Sequence, residues 1–321
     1  MTIPRRAFLA GLAATVLPAG ADAQGRSPAR IGWISTEAQP DPFIDGFREG
    51  LRQHGHVDGQ SVVLDLRYTG DLEALRAAVA ELTRSGVAFI VSSGPAIRAI
   101  RNAKDVPVLF AISGDPVELG LAASLRRPGG NFTGLTFLSL TVAAKRVELL
   151  RQAVPGIRRL AVLSNTDHPG EGSERRATEE AARALGLAVR YVPFRGGAEL
   201  DGALAAVRDA RADAMVVFPE GATMVARSRI ARFAIAERLP SMFGWSEYVD
   251  AGGLMSYGAN QREAYVRLAA YADRLLRGAT TAELPIEQPT RFELVVNMAT
   301  AAALGITLPP ATLLLASRRV G

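Results

Sequence analysis

Short apolar runs alternate with amphipathic stretches along almost the whole chain. Residues 30–35 read as an apolar strand, and in the stretch that follows Phe43, Phe47 and Leu51 share one face of a helical period. Residues 62–66 are strand-like. Leu72, Leu75, Val79 and Leu82 then mark an amphipathic helix that Gly86 is placed to end. Residues 87–91 and 107–112 are unbroken apolar runs, the pattern of parallel strands covered on both faces. The series then starts again. A helix is predicted over 142–154, a strand over 160–163 and a helix over 174–185. Residues 189–192, 200–207 and 214–218 repeat strand, helix, strand, and a helix over 225–239 leads into a strand at 241–243. Two successive βαβ series predict two α/β domains, each a doubly wound, helix-covered parallel sheet.

The C-terminal stretch supplies a strand at 254–257, a long helix at 263–277, a strand at 292–296 and a short helix ending near Leu304. These elements are too few to fold alone, so they are expected to return and complete the two sheets. The chain must then cross between lobes several times. Such lobes form a hinged clamshell with a cleft between the carboxyl ends of facing strands.

The N-terminus changes the picture of where the protein works. Arg5 and Arg6 precede an apolar run over 7–17, and Ala21-Asp22-Ala23 offers a small-x-small cleavage site, the order of parts in an export signal. The run is too short to span a bilayer, which takes about 20 residues. Arg5-Arg6 also resembles a twin-arginine core, although Pro4 stands where Ser or Thr is preferred, so both export routes stay open. Residues 1–23 are therefore expected to be removed and the rest to act in a periplasm. The chain has no cysteine. Disulfides, thiolate nucleophiles, cysteine-held metals and a lipid-modified cysteine are all excluded. A formal net charge of +5 is spread as Arg among Glu and Asp, without the dense basic stripe of a nucleic-acid binder.

Several motifs carry a family resemblance. Ser113-Gly114-Asp115-Pro116 is followed by Arg127-Pro128-Gly129-Gly130-Asn131-Phe132-Thr133-Gly134, and later come Gly253-Leu254-Met255-Ser256-Tyr257-Gly258 and Leu284-Pro285-Ile286-Glu287-Gln288-Pro289-Thr290. Together they resemble the extracytoplasmic substrate-binding components of ABC importers, in the branch of the tryptophan/tyrosine transport type. The resemblance covers essentially all of the chain after the leader. It implies the type I periplasmic-binding clamshell, with lobe 1 over 29–138 and 257–286 and lobe 2 over 139–256 and 287–321. The implied crossings lie near 136–140, 254–257 and 287–290.

In such sheets ligands bind beyond the carboxyl ends of strands, close to helix N-termini. Lobe 1 offers Ser35-Thr36, Ser93-Gly94 and Asp115 at three strand ends, with Thr136 at the first crossing. The serines could equally be plain helix caps, and Asp115 could hold a ligand ammonium or simply fix its Asp-Pro turn. Lobe 2 offers Asn165 and Asp167, with His168 beside them, then Glu220 and Trp245. Trp245 could stack on a flat ligand or pack between lobes. Tyr257 could line the cleft or brace the hinge. Gly94 stands where many relatives carry Thr, which removes one hydroxyl, so the ligand is read broadly as a small polar amino acid or related carboxylate.

No Gly-x-Ser-x-Gly elbow, His-Glu-x-x-His pair or phosphate loop occurs, which argues against an enzyme. His54-Gly55-His56 reads as a surface loop rather than a metal site, and no cofactor is expected. A sensor could share every feature above. The favoured expectation is a monomeric carrier, without nucleic-acid partners, that closes on a small molecule and delivers it to an inner-membrane permease with its ATPase.

Overall fold

The computed structural model describes residues 27–37, 39, 41–138 and 140–321. The leader expected over 1–23 lies outside the described residues.

The first apolar runs build a five-stranded sheet: β1 (Ala29–Ser35), β2 (Val62–Tyr68), β3 (Phe89–Ser93), β4 (Val108–Ile112) and β5 (Phe132–Thr136). All pairs are parallel and the order is β2-β1-β3-β4-β5. Side chains alternate between two faces. Trp33, Phe89, Val91 and Leu109 meet α1 (Ile44–Gln53) on one side, whereas Ile34, Ile90, Val108 and Phe110 meet α2 (Leu72–Arg84) and α3 (Ile97–Ile100) on the other. This two-sided burial is why β3 and β4 read as unbroken apolar runs. Asp71 caps α2, accepting from Glu73 N at 2.8 Å, and Gly86, at φ +72°, follows the helix end as expected.

After α4 (Leu140–Ala153) the chain builds the second sheet from β6 (Arg159–Asn165), β7 (Ala188–Phe194), β8 (Ala214–Val217), β9 (Ser241–Phe243), β10 (Met255–Gly258), β11 (Glu293–Asn297) and β12 (Arg318–Val320). Their order is β12-β11-β10-β9-β8-β6-β7. Its helices are α5 (Glu171–Ala184), α6 (Leu200–Asp209), α7 (Gly221–Val225), α8 (Arg227–Ala236) and α9 (Ser246–Asp250). Then α10 (Gln261–Leu276) returns to lie on α1, and α11 (Met298–Ala303) and α12 (Pro310–Leu315) close the second lobe. The α1–α10 contact needs small residues. A Cβ at Gly50 would stand 2.5 Å from the Val266 carbonyl oxygen and 2.6 Å from Ala269 Cβ.

Four readings change. The β10–β11 pair is antiparallel, because β11 enters the sheet from the returning chain rather than through a helical crossover. The stretch 254–257 is not a crossing: β10 pairs with β9 and β11 inside the second sheet, so the chain leaves that lobe only after Gly258. The helix predicted over 225–239 is α8, shorter at both ends, and a separate short helix, α7, capped by the Glu220 side chain, precedes it. Finally, Phe132–Thr136 forms β5, a strand that the apolar pattern does not predict. Among the described residues no helix is long and apolar enough to cross a membrane.

Candidate ligand-binding cleft

The turns after the strands of both sheets converge on a narrow pocket between the lobes, with a cavity volume of about 20 Å³. From the first lobe come Glu37, Phe43, Ser93, Gly94, Ser113 and Phe137. The second lobe adds His168, Pro169, Glu220, Gly221 and Trp245, and α10 adds Tyr265.

Four rings form its apolar wall. Phe43 and Tyr265 stack with centroids 5.1 Å apart, and Trp245 meets Phe43 and Phe137 edge-on at 6.0 and 5.9 Å. Aromatic contacts of this geometry stabilise beyond the area they bury. Trp33 and Phe47 behind them, 5.4 Å apart, support the wall from the first sheet and α1. Ser93 Oγ lies 2.6 Å from the Tyr265 hydroxyl, which ties β3 to α10 at the pocket edge.

The polar side is acidic. Ser35 Oγ accepts from Glu37 N at 3.1 Å, and Thr36 Oγ1 donates to Glu37 Oε1 at 3.2 Å, so the turn after β1 directs this carboxylate into the cleft. Glu37 is 8 % exposed and Glu220 4 %. Burial, then the charge of Glu220, pushes the Glu37 carboxyl up to about 8. Glu220 is also raised by burial. The Ala222 and Thr223 N–H groups, at 2.9 and 2.7 Å, the charge of His168, and Asn165 Nδ2, at 3.2 Å, oppose that rise. Nearby Asp41 accepts from Trp33 Nε1 and Phe43 N, both at 2.8 Å, and burial raises it as well.

His168 is held from behind. Its Nδ1 accepts from Gly170 N at 3.2 Å, and its Nε2 lies 2.8 Å from Glu174, which also takes Arg146 Nη1 at 3.1 Å. Burial would raise Glu174, but His168 and Arg146 outweigh it and hold the carboxyl below its ordinary value. Arg146 donates further to the Tyr257 carbonyl at 2.8 Å, linking α4, α5 and β10.

The lobes touch closely around the pocket. Glu37 packs on Gly221, where a Cβ would overlap its carboxylate, and a Cβ at Gly170 would overlap the Ser113 carbonyl. At the mouth, Arg98 of α3 pairs with Asp167 across the cleft, and Arg195 approaches Asp167 to 3.7 Å.

The structure thus brings Ser93, Gly94, Glu220 and Trp245 to one pocket. Ser35 is buried behind it and orients Glu37, while Thr36, Asn165 and Asp167 line an adjoining outer cavity. Three residues stand elsewhere. Asp115 accepts from Val117 N and Glu118 N at 2.8 and 3.3 Å, so its carboxylate fixes the Asp-Pro turn. Thr136 is fully buried, donating to the Gly114 carbonyl and accepting from Leu138 N. Tyr257 packs against Phe292 in the second lobe, with ring centroids 6.2 Å apart. Gly94 has φ +52° with open space where a side chain would go, so backbone conformation rather than room favours glycine there. Glu37, Phe43, Phe137 and Tyr265 were missed as site residues. Glu37 follows a polar strand end and could have been found, but Phe43 and Tyr265 sit in helical patterns that read as core. His56, read as part of a surface loop, is docked on Asp273 of α10 at 2.8 Å.

Known proteins share this architecture. A curated tyrosine-binding protein of Clostridioides difficile is 22 % identical over 268 residues, 82 % of this chain and 76 % of that protein. A conserved domain protein from Vibrio cholerae superposes with a TM-score of 0.83 at 22 % identity, covering 91 % of this chain and all of that one. An ABC domain from Streptococcus pneumonia in complex with L-Trp gives 0.82 at 23 % identity, with 92 % of this chain and all of that one covered. The family model for ABC transporter substrate binding proteins matches residues 34–320, so the chain belongs to that family.

Proposed function

We propose that this protein is the extracytoplasmic binding component of an importer, closing its lobes on one aromatic amino acid and presenting the closed form to an inner-membrane permease. The observation that carries the reading is the aromatic wall. Phe43, Phe137, Trp245 and Tyr265 come from both lobes and α10, so a flat ring between them gains apolar contact only when the lobes are together. A ligand that touches both lobes shifts the population toward the closed form by its differential affinity. The tyrosine and tryptophan named for two relatives agree with the aromatic lining of this pocket. The protein performs no bond chemistry in this reading. Its leader over 1–23 carries it to the periplasm.

A thermal-shift and calorimetric screen tests the proposal. L-Trp, L-Tyr and L-Phe are expected to bind with one-to-one stoichiometry, adding about 2.7 kcal/mol of stability at a hundred times their dissociation constant. Stabilisation by sugars or dicarboxylates with no response to any aromatic amino acid would overturn it.

A further inference from the structure

The pocket holds an unbalanced charge. Glu37 enters from the first lobe, where it packs against Gly221, and Glu220 enters from the second at the residue before it. Both line the same small space, and both are buried. Among the described residues no basic side chain pairs with either one, and no Lys or Arg lines the pocket.

The groups around the pair do not balance it. Asp41, on the loop before α1, adds negative charge. Tyr265 of α10 is engaged with Ser93, and Tyr248 of α9 with Thr223 at 2.6 Å. His168, before α5, lines the pocket and its charge opposes the rise of Glu220, but its Nδ1 is turned to the Gly170 N–H and its Nε2 to Glu174. Arg98 and Arg195 sit in the outer cavity and share Asp167. Arg229 and Arg232 line a second outer cavity beside Glu37, Arg229 paired with Asp201. Two carboxylates confined this way, without a Lys or Arg between them, cannot both ionise at little cost.

We propose that Glu37 and Glu220 form a split site for the positively charged amino group of the ligand, completed only when the lobes close, and that the ligand-free pair holds one proton in its place. This rests on the reading of the cleft as an amino-acid site and adds what selects the amine. Ligand entry exchanges the proton, which leaves for solvent, for an ammonium that donates to both carboxylates. The direction of the Glu37 shift agrees with a proton held there near neutral pH. Below that range the ligand competes with the proton, so affinity rises with pH and levels off above it.

Calorimetry of the whole protein with L-Trp, tryptamine and the deaminated analogue indole-3-propionate tests this, run between pH 6 and 8.5 in two buffers of different ionisation enthalpy. For L-Trp the affinity is expected to rise about tenfold from pH 6 to pH 7, with net proton release. Tryptamine is expected to show the same release, and indole-3-propionate to bind at least a hundredfold more weakly than L-Trp without it. Glu37→Gln is expected to keep its fold by circular dichroism while losing both affinity and proton release. Equal binding of L-Trp and indole-3-propionate, or an affinity flat in pH, overturns the amine site and leaves the aromatic reading standing. A panel in which nothing binds overturns both. Carbon-13 carboxyl NMR of the ligand-free protein is decisive for the held proton, whatever the ligand: one of the two carboxyls is expected to titrate near 8. Ordinary carboxylate values for both would overturn it.

Discussion

At the scale of single residues, the cleft is built from side chains whose surroundings change their chemistry. Glu37 is the clearest. Its carboxyl has an ordinary value when the chain is unfolded and is pushed up to about 8 in the folded protein. A group raised on folding stabilises fully below its unfolded value and loses that contribution as pH rises through the folded one. Ligand-free protein is therefore expected to lose stability between about pH 4.5 and pH 8 through this residue, on the order of 4 kcal/mol. Urea denaturation at pH 5 and pH 8, for the wild type and for Glu37→Gln, isolates the effect. An unchanged pH slope in the variant would refute it. Glu174 works in the opposite sense: its lowered carboxyl contributes above its unfolded value and loses the contribution as pH falls through the folded one.

At the scale of elements, the α1–α10 contact ties the returning chain to the first lobe. Gly46 and Gly50 let the two helices approach along one stripe, with the Val266 carbonyl and Ala269 filling the space where a Gly50 side chain would stand. Replacing Gly50 with Ala gains up to about 1 kcal/mol of helix propensity. Overpacking at the contact costs roughly 1–3 kcal/mol, and because backbone of α10 is in the way the loss dominates. Gly50→Ala is thus expected to lower stability by about 1–2 kcal/mol, and a melting temperature equal to or above wild type would contradict this. The contact also places Tyr265, which lies on α10 and whose hydroxyl meets Ser93 at the pocket. The period of α10 was legible, since its apolar residues recur at helical spacing. Its partner was not, because an amphipathic face states only that something covers it.

At the scale of the whole molecule, closure is a matter of clearance. Gly170 has φ −97° and ψ 5°, a backbone that alanine adopts without strain, yet a Cβ there would overlap the Ser113 carbonyl of the other lobe. Gly170→Ala is expected to leave each lobe folded while blocking closure. Ligand affinity should fall at least tenfold, and the contraction seen by small-angle scattering on ligand addition should vanish. Normal affinity with normal contraction would show that the lobes close some other way. The Arg98–Asp167 pair spans the same gap, but Arg98 is about half exposed and such pairs contribute roughly 0–1 kcal/mol.

By itself the sequence determined the alternation of strand and helix and hence two α/β lobes. Local patterns are written in consecutive residues: two-sided burial makes β3 and β4 continuously apolar, and capping chemistry marks α2. It also placed polar turns at strand ends, of which Ser93, Gly94, Glu220 and Trp245 reach the pocket. Only the tertiary structure decided which of those turns face one another. Asp115 and Thr136 spend their polar atoms on their own turns, Tyr257 packs inside the second lobe, and Glu37 meets Glu220 from far away in the chain. The physical reason is that a cleft is a property of distance between lobes. Chain order fixes what each turn can offer, whereas packing of the lobes and of α10 fixes what it meets.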